Sequence, residues 1–263
     1  METWRLLIHP KAPGDWLMAA DVVIADFVKR GKIPPTFRVF DWSPDTISLG
    51  YHQNIRIINL NACRRDRIRV VRRPTGGKAI YHSDEITYSA IFSGGSCLYD
   101  SRLLESYSKV SKILRTALGK FPVKLDDFHE TSAPGSYTQS DICFAKTLSY
   151  EITIGGKKLV GSAQRRWQNA VLQHGSILLG DSHTKLMNYL MMTAEQREIE
   201  KETLSAGTIY LKKVYPRSIS LSDFSKAVQK SFREHFQVEL LPGEISPEEE
   251  EKIQAKREEY RVL

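Results

Sequence analysis

Two glycines between short strand-like segments constrain the fold of this 263-residue chain more than any other feature. Residues 148–154 (LSYEITI) alternate apolar and polar side chains and are rich in β-branched and aromatic types, which is typical of a strand. Gly155 and Gly156 are both free to adopt the positive φ of a tight turn. Residues 157–160 (KKLV) would then run back antiparallel. The sequence therefore predicts a β-hairpin over 148–160.

This hairpin would bring Lys158 near the start of its first strand, and Cys143 lies just before that strand. A thiol has a pKa near 8.5, and a neighbouring ammonium group lowers it because it stabilises the thiolate. Cys143 is thus predicted to be a nucleophile with Lys158 as its partner. The two residue types alone favour a plainer alternative, in which Cys143 is a small buried residue and Lys158 a solvated turn lysine.

Small residues cluster after this lysine and also upstream of it. Residues 161–163 (GSA) follow the lysine strand, and residues 174–176 (HGS) interrupt the next apolar strand. Residues 72–82 (RRPTGGKAIYH) predict a strand, a glycine turn and a second strand. The turn lacks the spacing of a phosphate-binding loop. Its glycines would leave room for a ligand, although a plain hairpin turn is the alternative.

Several of these segments resemble one known family. The run RRPTGGKAIYH, followed by ITYS at 86–89, looks like the signature of the lipoate-protein ligase and octanoyltransferase catalytic domain. GKKLVGSAQRR and QHGSILL are similar to its lysine strand and the strand that follows. The resemblance spans roughly residues 15 to 240. It implies the α+β fold shared with biotin ligases, a mixed β-sheet with packed helices.

Cys143 indicates which branch of this family the chain resembles. The Cys-Phe pair ahead of the lysine strand is similar to the cysteine-dependent octanoyltransferases of the LipM type. In lipoyl cofactor biosynthesis, this resemblance implies that Cys143 takes an octanoyl group from acyl carrier protein as a thioester. It then passes the group to a lysine of the glycine cleavage H protein or of a lipoyl domain. Lys158 would lower the cysteine pKa and stabilise the oxyanion. No cofactor is expected.

The resemblance also assigns the remaining site residues. Arg72 and Arg73 would set the entrance or pack below it. His82 is placed among the substrate-binding residues, but neither His82 nor His174 has a spacing to Cys143 that marks a base, so both stay outside the catalytic set. The walls around the acyl chain would be Thr75, Gly76, Gly77, Gly161, Ser162 and Ala163.

Two other functions stay open. In an ATP-dependent lipoate-protein ligase, Lys158 would hold the acyl-adenylate and Cys143 would be incidental; the short region past the domain argues against it. A remote alternative is a basic nucleic-acid or regulatory binding protein, because the chain carries a net charge of +7 and an arginine-rich stretch at 64–73. No aromatic platform or helix-turn-helix pattern accompanies that stretch.

The pattern of elements predicts a catalytic domain over 1–241 and a charged helical tail over 242–263. We expect a helix over 16–29 capped by Asp15, a strand pair at 37–42 and 46–50, and a loose connection over 193–205. Ser246 followed by proline and acidic residues predicts the start of the tail helix. Because that helix is charged all round, it should lie on the surface.

Three cysteines without paired spacing speak against a disulfide framework and against a zinc site. His129 and Glu130 are adjacent rather than spaced as ligands, so no metal is expected. The chain has neither an apolar run of membrane-spanning length nor the apolar core of a signal peptide. These observations predict a cytoplasmic protein that does not bind membranes, and the resemblance implies protein partners and no nucleic acid.

Overall fold

The computed structural model describes residues 1–127 and 151–263. The strands are β1 (Thr3–Ala12), β2 (Thr36–Trp42), β3 (Thr46–Leu49), β4 (Arg69–Arg72), β5 (Ile80–His82), β6 (Glu85–Phe92), β7 (Ile152–Ile154), β8 (Lys157–Trp167), β9 (Ala170–Leu178) and β10 (Glu239–Pro242). Seven of these strands form one sheet in the order β10-β1-β2-β6-β9-β8-β7, and three form a smaller sheet in the order β4-β3-β5. In the large sheet, β10, β1 and β2 are parallel, whereas every pair from β2 through β6, β9 and β8 to β7 is antiparallel, so the predicted mixed sheet is confirmed.

Helices cover both faces of the large sheet, in agreement with the predicted mixed sheet with packed helices. α3 and α6 pack on one face, where the Trp4 ring lies 5.0 Å from that of Phe232 and 5.8 Å from that of Phe92. α1 covers the other face. The helices are α1 (Gly14–Lys29), α2 (Leu60–Arg65), α3 (Leu103–Leu118), α4 (Ala194–Gly207), α5 (Leu211–Val214), α6 (Leu221–Phe236) and α7 (Pro247–Tyr260), with 3₁₀ segments at Ile55–Ile57 and Ser182–Tyr189.

The glycine hairpin forms between β7 and β8, in the part of the predicted segment that is described. Thr153 pairs with Lys158, and Gly155 and Gly156 have φ values of 58° and 74°. Their amide groups each donate a 2.8 Å hydrogen bond to the carboxylate of Asp126. The hairpin prediction is therefore confirmed from Ile152 onward.

The predicted strand pair at 37–42 and 46–50 is wrong. β2 lies in the large sheet between β1 and β6, whereas β3 lies in the small sheet between β4 and β5. Both strands are buried on both faces. Alternation and burial identify strands, but a short connection does not determine which partner each one takes.

Helix α1 forms, but Asp15 does not cap it. Pro13 occupies the N-cap position without a side-chain cap, and Asp15 lies in the first turn. Its carboxylate instead accepts hydrogen bonds from Arg257 and Arg261 of α7. A tertiary ion pair has thus replaced the predicted local cap.

Residues 193–205 were expected to be a loose connection, and this expectation is wrong. They belong to α4, where the side chains of Thr193 and Gln196 form a reciprocal capping box. The capped start of α7 is confirmed, with Ser246 and Glu249 forming the same motif. α7 lies on α1 and buries Ile253 completely, and Arg5 donates to the buried Glu249 at 2.6 and 2.9 Å.

Within residues 1–127 and 151–263, no helix has both the length and the apolar character needed to cross a membrane.

Candidate active site

A narrow cavity lies where β8 and β9 of the large sheet face β3 and β5 of the small one, below α1. The small-residue runs of the sequence meet here because the register pairs Gly161 with Ser176, Ser162 with Gly175 and Ala163 with His174. The lining consists of Met18, Trp42, Ser48, Arg73, Ile80, His82, Thr87, Gly161, Ser162, Ala163, His174, Gly175 and Ser176.

Gly175 makes this strand pairing possible. A Cβ atom at this position would lie 2.3 Å from the carbonyl oxygen of Gly161 and 2.7 Å from the hydroxyl of Ser162. The absence of that atom lets β8 and β9 approach closely at the cavity wall. The Ser162 hydroxyl is itself held by a 2.7 Å hydrogen bond to the Tyr88 hydroxyl.

Polar groups around the cavity are engaged with one another. The carboxylate of Glu85 accepts hydrogen bonds from Ser176 at 2.8 Å and from Thr87 at 2.5 Å, and lies 2.7 Å from Nδ1 of His82. All four side chains are buried. A buried carboxylate needs such partners because desolvation penalises its charge.

The other polar groups at the cavity wall are also bonded to one another. Nε2 of His82 is 2.7 Å from the Ser48 hydroxyl, and the Trp42 indole donates to Thr87 at 2.8 Å. The Trp42 ring stacks on His82 with centroids 3.9 Å apart. With these polar atoms satisfied internally, the cavity presents mainly carbon, a surface suited to an apolar chain rather than to a charged group.

A second network connects helix α1 to the glycine turn. The fully buried Asp21 carboxylate lies 2.9 Å from Nδ1 of His174, and Nε2 of His174 lies 2.7 Å from the Thr75 hydroxyl. Burial lowers the pKa of His174 although Asp21 opposes the shift. The neutral ring therefore donates from Nδ1 to Asp21 and accepts at Nε2 from Thr75, which fixes the direction of the Thr75 hydroxyl.

The charge of Asp21 is balanced by Arg38. Both side chains are completely buried and form an ion pair, and Ser89 donates a further 2.8 Å hydrogen bond to the same carboxylate. Burial alone would raise the pKa of Asp21, but Arg38 and the hydrogen bonds lower it on balance. Among the described residues, Nε and Nη2 of Arg38 have no hydrogen-bond partner. The guanidinium is therefore held through Nη1, which donates to Asp21 and, at 3.2 Å, to the carbonyl oxygen of Leu17.

Arg73 holds the glycine turn from below. Its guanidinium donates to the carbonyl oxygens of Gly76 at 2.9 Å and Lys78 at 2.7 Å. The Thr75 carbonyl accepts from the Tyr51 amide at 2.8 Å. Gly50 contacts the turn so closely that a Cβ there would lie 1.9 Å from the Gly77 carbonyl oxygen.

Arg72 lies outside the cavity, beside a second cleft of about 580 Å³. Its guanidinium donates to the carbonyl oxygens of Gly50 at 2.8 Å and Gln53 at 2.7 Å. In the same cleft, the guanidinium of Arg165 lies over the Tyr51 ring at 4.5 Å. The cleft and the cavity share Arg73.

Lys158 lies on β8, three residues before Gly161, and does not line the cavity. Its side chain is buried and forms an ion pair with the buried Glu151. It is therefore not the solvated turn lysine of the alternative interpretation. Cys143 lies outside the described residues.

The structure thus brings five of the predicted site residues together around one cavity: Arg73, His82, Gly161, Ser162 and Ala163. Thr75 is one hydrogen bond away through His174. Arg72, Gly76 and Gly77 are on or beside the turn but outside the lining.

Sequence reasoning missed Asp21, Glu85, Trp42 and Ser48. A signal was available for Asp21, which lies four residues after Leu17 on the apolar side of α1. A charged residue within an apolar stripe indicates a buried partner. Glu85 carried no such signal, because it stands at the edge of a strand next to polar residues.

The two other thiols are poor nucleophiles. Burial and the carboxylate of Asp66 raise the pKa of Cys63 to about 11. Desolvation and the neighbouring Glu2 raise that of Cys97 to about 12. Outside the gap at 128–150, no group of three His, Cys, Asp or Glu side chains could hold a metal ion.

Residues 15–233 match the model of the lipoyl protein ligase A/B catalytic domain. The chain belongs to this family. Octanoyltransferase LipM of Moorella thermoacetica is 36% identical over 265 residues, covering 98% of this chain and 96% of the relative. The LipM of Clostridioides difficile is 32% identical, covering 99% and 97%. These relatives confirm the prediction of an acyltransferase.

Solved structures of lipoate ligases share the fold of this lipoyl ligase family member. A bi-partite lipoate protein ligase from Thermoplasma acidophilum has a TM-score of 0.77 at 18% identity, covering 98% of this chain and 93% of the other. Lipoate-protein ligase A bound with ATP has a TM-score of 0.75 at 20% identity, covering 98% and 95%. The predicted lipoate-ligase-like fold is confirmed.

Proposed function

We propose that this chain is an octanoyltransferase of lipoyl cofactor biosynthesis that acts through a thioester on Cys143. The observation that carries the proposal is the similarity to octanoyltransferases LipM over nearly the whole length of both chains. The cavity between β8, β9 and β3 supports it, since its polar atoms are satisfied internally and its open surface suits an alkyl chain.

The reaction has two steps. The Cys143 thiolate attacks the carbonyl carbon of an octanoyl thioester on acyl carrier protein, and the carrier thiol leaves. The ε-amine of a lysine on the glycine cleavage H protein or a lipoyl domain then attacks the acyl-enzyme. An amide forms, the amine loses a proton, and the Cys143 sulfur is released. Neither step consumes ATP.

We assign Cys143 as the nucleophile because the other two thiols of the chain are unsuitable. Burial beside Asp66 raises the pKa of Cys63, and partial desolvation beside Glu2 raises that of Cys97, so neither supplies a thiolate near neutral pH. Cys143 is the remaining cysteine of the sequence. In the proposed site, Lys158 lowers the pKa of Cys143 and stabilises the oxyanion, while the ion pair with Glu151 holds the Lys158 side chain in place.

The acyl chain is proposed to lie against Gly161, Ser162, Ala163 and His82. An octanoyl group carries about seven CH₂ or CH₃ units, and each contributes about 0.8 kcal/mol when buried. The chain alone would therefore supply several kcal/mol. Thr75, Gly76 and Gly77 shape the turn above it, with Arg73 beneath that turn and Arg72 beside the entrance.

We assign the catalytic domain to residues 1–241 and treat residues 242–263 as a tail that stabilises it through the Arg5–Glu249 pair. Free thiols and a carrier-protein donor suit the cytoplasm, where we place the reaction.

Intact mass spectrometry after mixing with octanoyl-loaded acyl carrier protein, without ATP, tests the proposal. Wild type and Cys97→Ala should both gain an octanoyl adduct that hydroxylamine removes, whereas Cys143→Ala should gain none. Cys97→Ala is the matched control because it removes an exposed free thiol. Acceptor modification that requires ATP and survives Cys143→Ala would replace the thioester mechanism with that of an ATP-dependent ligase.

A further inference from the structure

Two adjoining depressions of about 680 and 710 Å³ form a groove on the surface beside α7. They share Pro44, Arg69 and Leu263, so they are continuous. The basic side chains in their walls all belong to arginines. We call this surface the arginine groove, and its basic residues are Arg64, Arg67, Arg69, Arg257 and Arg261.

The positive charge of the groove is only partly balanced. Asp15 pairs with Arg257 at 3.2 Å and with Arg261 at 2.5 Å, and Arg261 also forms an ion pair with Glu258. For the other three arginines, at 64, 67 and 69, no ion pair forms with any carboxylate of the described chain. All three are exposed. A cluster of unbalanced, exposed cations favours an anionic partner.

The groove is connected to the proposed active site by two elements. β4 begins at Arg69 in the groove and ends about 10 Å away at Arg72, next to the cavity residue Arg73. The last turn of α7 contributes Arg257 to the groove and Tyr260 to the cleft that shares Arg73 with the cavity. A partner in the groove is thus adjacent to the acyl site.

From this arrangement we propose that the arginine groove docks an acidic acyl carrier protein, the donor of the proposed reaction. Arginine binds carboxylates and phosphates through two parallel hydrogen bonds. A carrier protein offers both, through acidic side chains and the phosphodiester of its pantetheine arm. The acceptor protein carries no such phosphodiester, so we expect the groove to favour the donor. This inference rests on the proposed function.

The test is the charge reversal Arg64→Glu with Arg69→Glu. Its matched control is Lys226→Glu with Lys230→Glu, which changes the net charge equally on exposed positions of α6, on the other side of the sheet. Fluorescence anisotropy of labelled carrier protein measures docking without turnover. Steady-state transfer from the carrier and from the uncharged N-acetylcysteamine thioester of octanoate separates docking from chemistry.

We expect the groove variant to bind the carrier about 10-fold more weakly, with KM for the carrier raised by a similar factor. The salt dependence of carrier binding should become flatter, and turnover with the uncharged donor should stay within about twofold. The acceptor KM and the control variant should match wild type. If wild type transfers octanoate from neither donor, the proposed function is wrong. The anisotropy comparison of carrier binding would still decide the docking inference.

Three results would overturn the docking inference. Equal losses in the groove and control variants would show only a general effect of net charge. An equal loss of turnover with the uncharged donor would show that the two arginines support the active site rather than carrier docking. Duplex DNA that displaces the carrier from wild type at moderate salt and binds the groove variant more weakly would assign the groove to nucleic acid.

Discussion

The substitution Asp21→Asn tests whether the buried charge pair beneath the cavity holds the fold together. Both Asp21 and Arg38 have no exposed side-chain surface. The substituted amide has nearly the same shape and can still accept from Ser89, so the losses are the negative charge and the acceptor that faces Nδ1 of His174. Arg38 would then be a buried, uncompensated cation.

Breaking a buried ion pair in this way typically costs about 3–5 kcal/mol, a large part of the roughly 5–15 kcal/mol that stabilises a folded domain. The free energy of unfolding should fall by that amount, as measured by urea denaturation. The matched control is Asp26→Asn on the same helix. Asp26 pairs with Arg30 at 3.0 Å, but the two side chains are 41% and 61% exposed, so this change should cost no more than about 0.5 kcal/mol.

The double variant Asp21→Asn with Arg38→Met should recover much of the loss. The methionine would lie where the guanidinium now packs near the rings of Phe40 at 4.7 Å and Trp16 at 5.8 Å. Replacing a buried pair by apolar groups is often close to neutral. The reasoning fails if Asp21→Asn is no more destabilising than Asp26→Asn, or if the double variant is as unstable as the sum of the single changes.

The pH dependence of this pair has a definite sign. The pKa of Asp21 is lower in the folded state than in the unfolded chain, mainly because Arg38 and the hydrogen bonds outweigh its burial. Its contribution to stability is therefore present above the unfolded pKa of about 4 and is lost as the pH falls through the folded value.

Three further changes test other parts of the molecule. Gly175→Ala should lower the free energy of unfolding by about 1–3 kcal/mol, because the new Cβ meets the backbone of β8. The control Gly95→Ala, whose new Cβ meets nothing within 4 Å, should leave the urea midpoint nearly unchanged. Equal urea midpoints for the two variants would contradict the packing argument. Burial lowers the pKa of His9 to about 3, so protonation favours the unfolded chain and the free energy of unfolding should fall by about 1.4 kcal/mol per pH unit below pH 6. In His9→Gln, the urea midpoint should depend less on pH between pH 6 and 5. An unchanged pH dependence would refute the role of His9. Ile253→Ala should cost about 2–4 kcal/mol, seen as a lower melting temperature, because its side chain is fully buried between α7 and α1. The exposed Gln254→Ala should melt like wild type, and equal melting of the two variants would show that α7 contributes nothing to stability.

Much of the local structure was predictable from the sequence. Alternation and the Gly155-Gly156 pair identified the β7–β8 hairpin, and the Ser246 cap identified the start of α7. The same kind of signal was present but overlooked at Thr193, where threonine followed three residues later by glutamine predicts the start of a helix.

Five of the predicted site residues lie in the cavity wall, but the groups that support the wall were not predicted. Gly161, Ser162 and Ala163 were recognisable because small residues in a row suit close contact. The groups that hold the wall in place, Asp21 and Glu85, lie on separate elements and act through hydrogen bonds that no local pattern encodes.

The sequence by itself determined the family, the hairpin and the small-residue runs, because these depend on residue types at short spacing. Only the tertiary structure decided which strands pair, where Asp15 finds its partners, and how an aspartate on α1 reaches a threonine in the glycine turn. Strand pairing and buried charge pairs are long-range choices, made when all elements pack together and each buried polar group must find a partner.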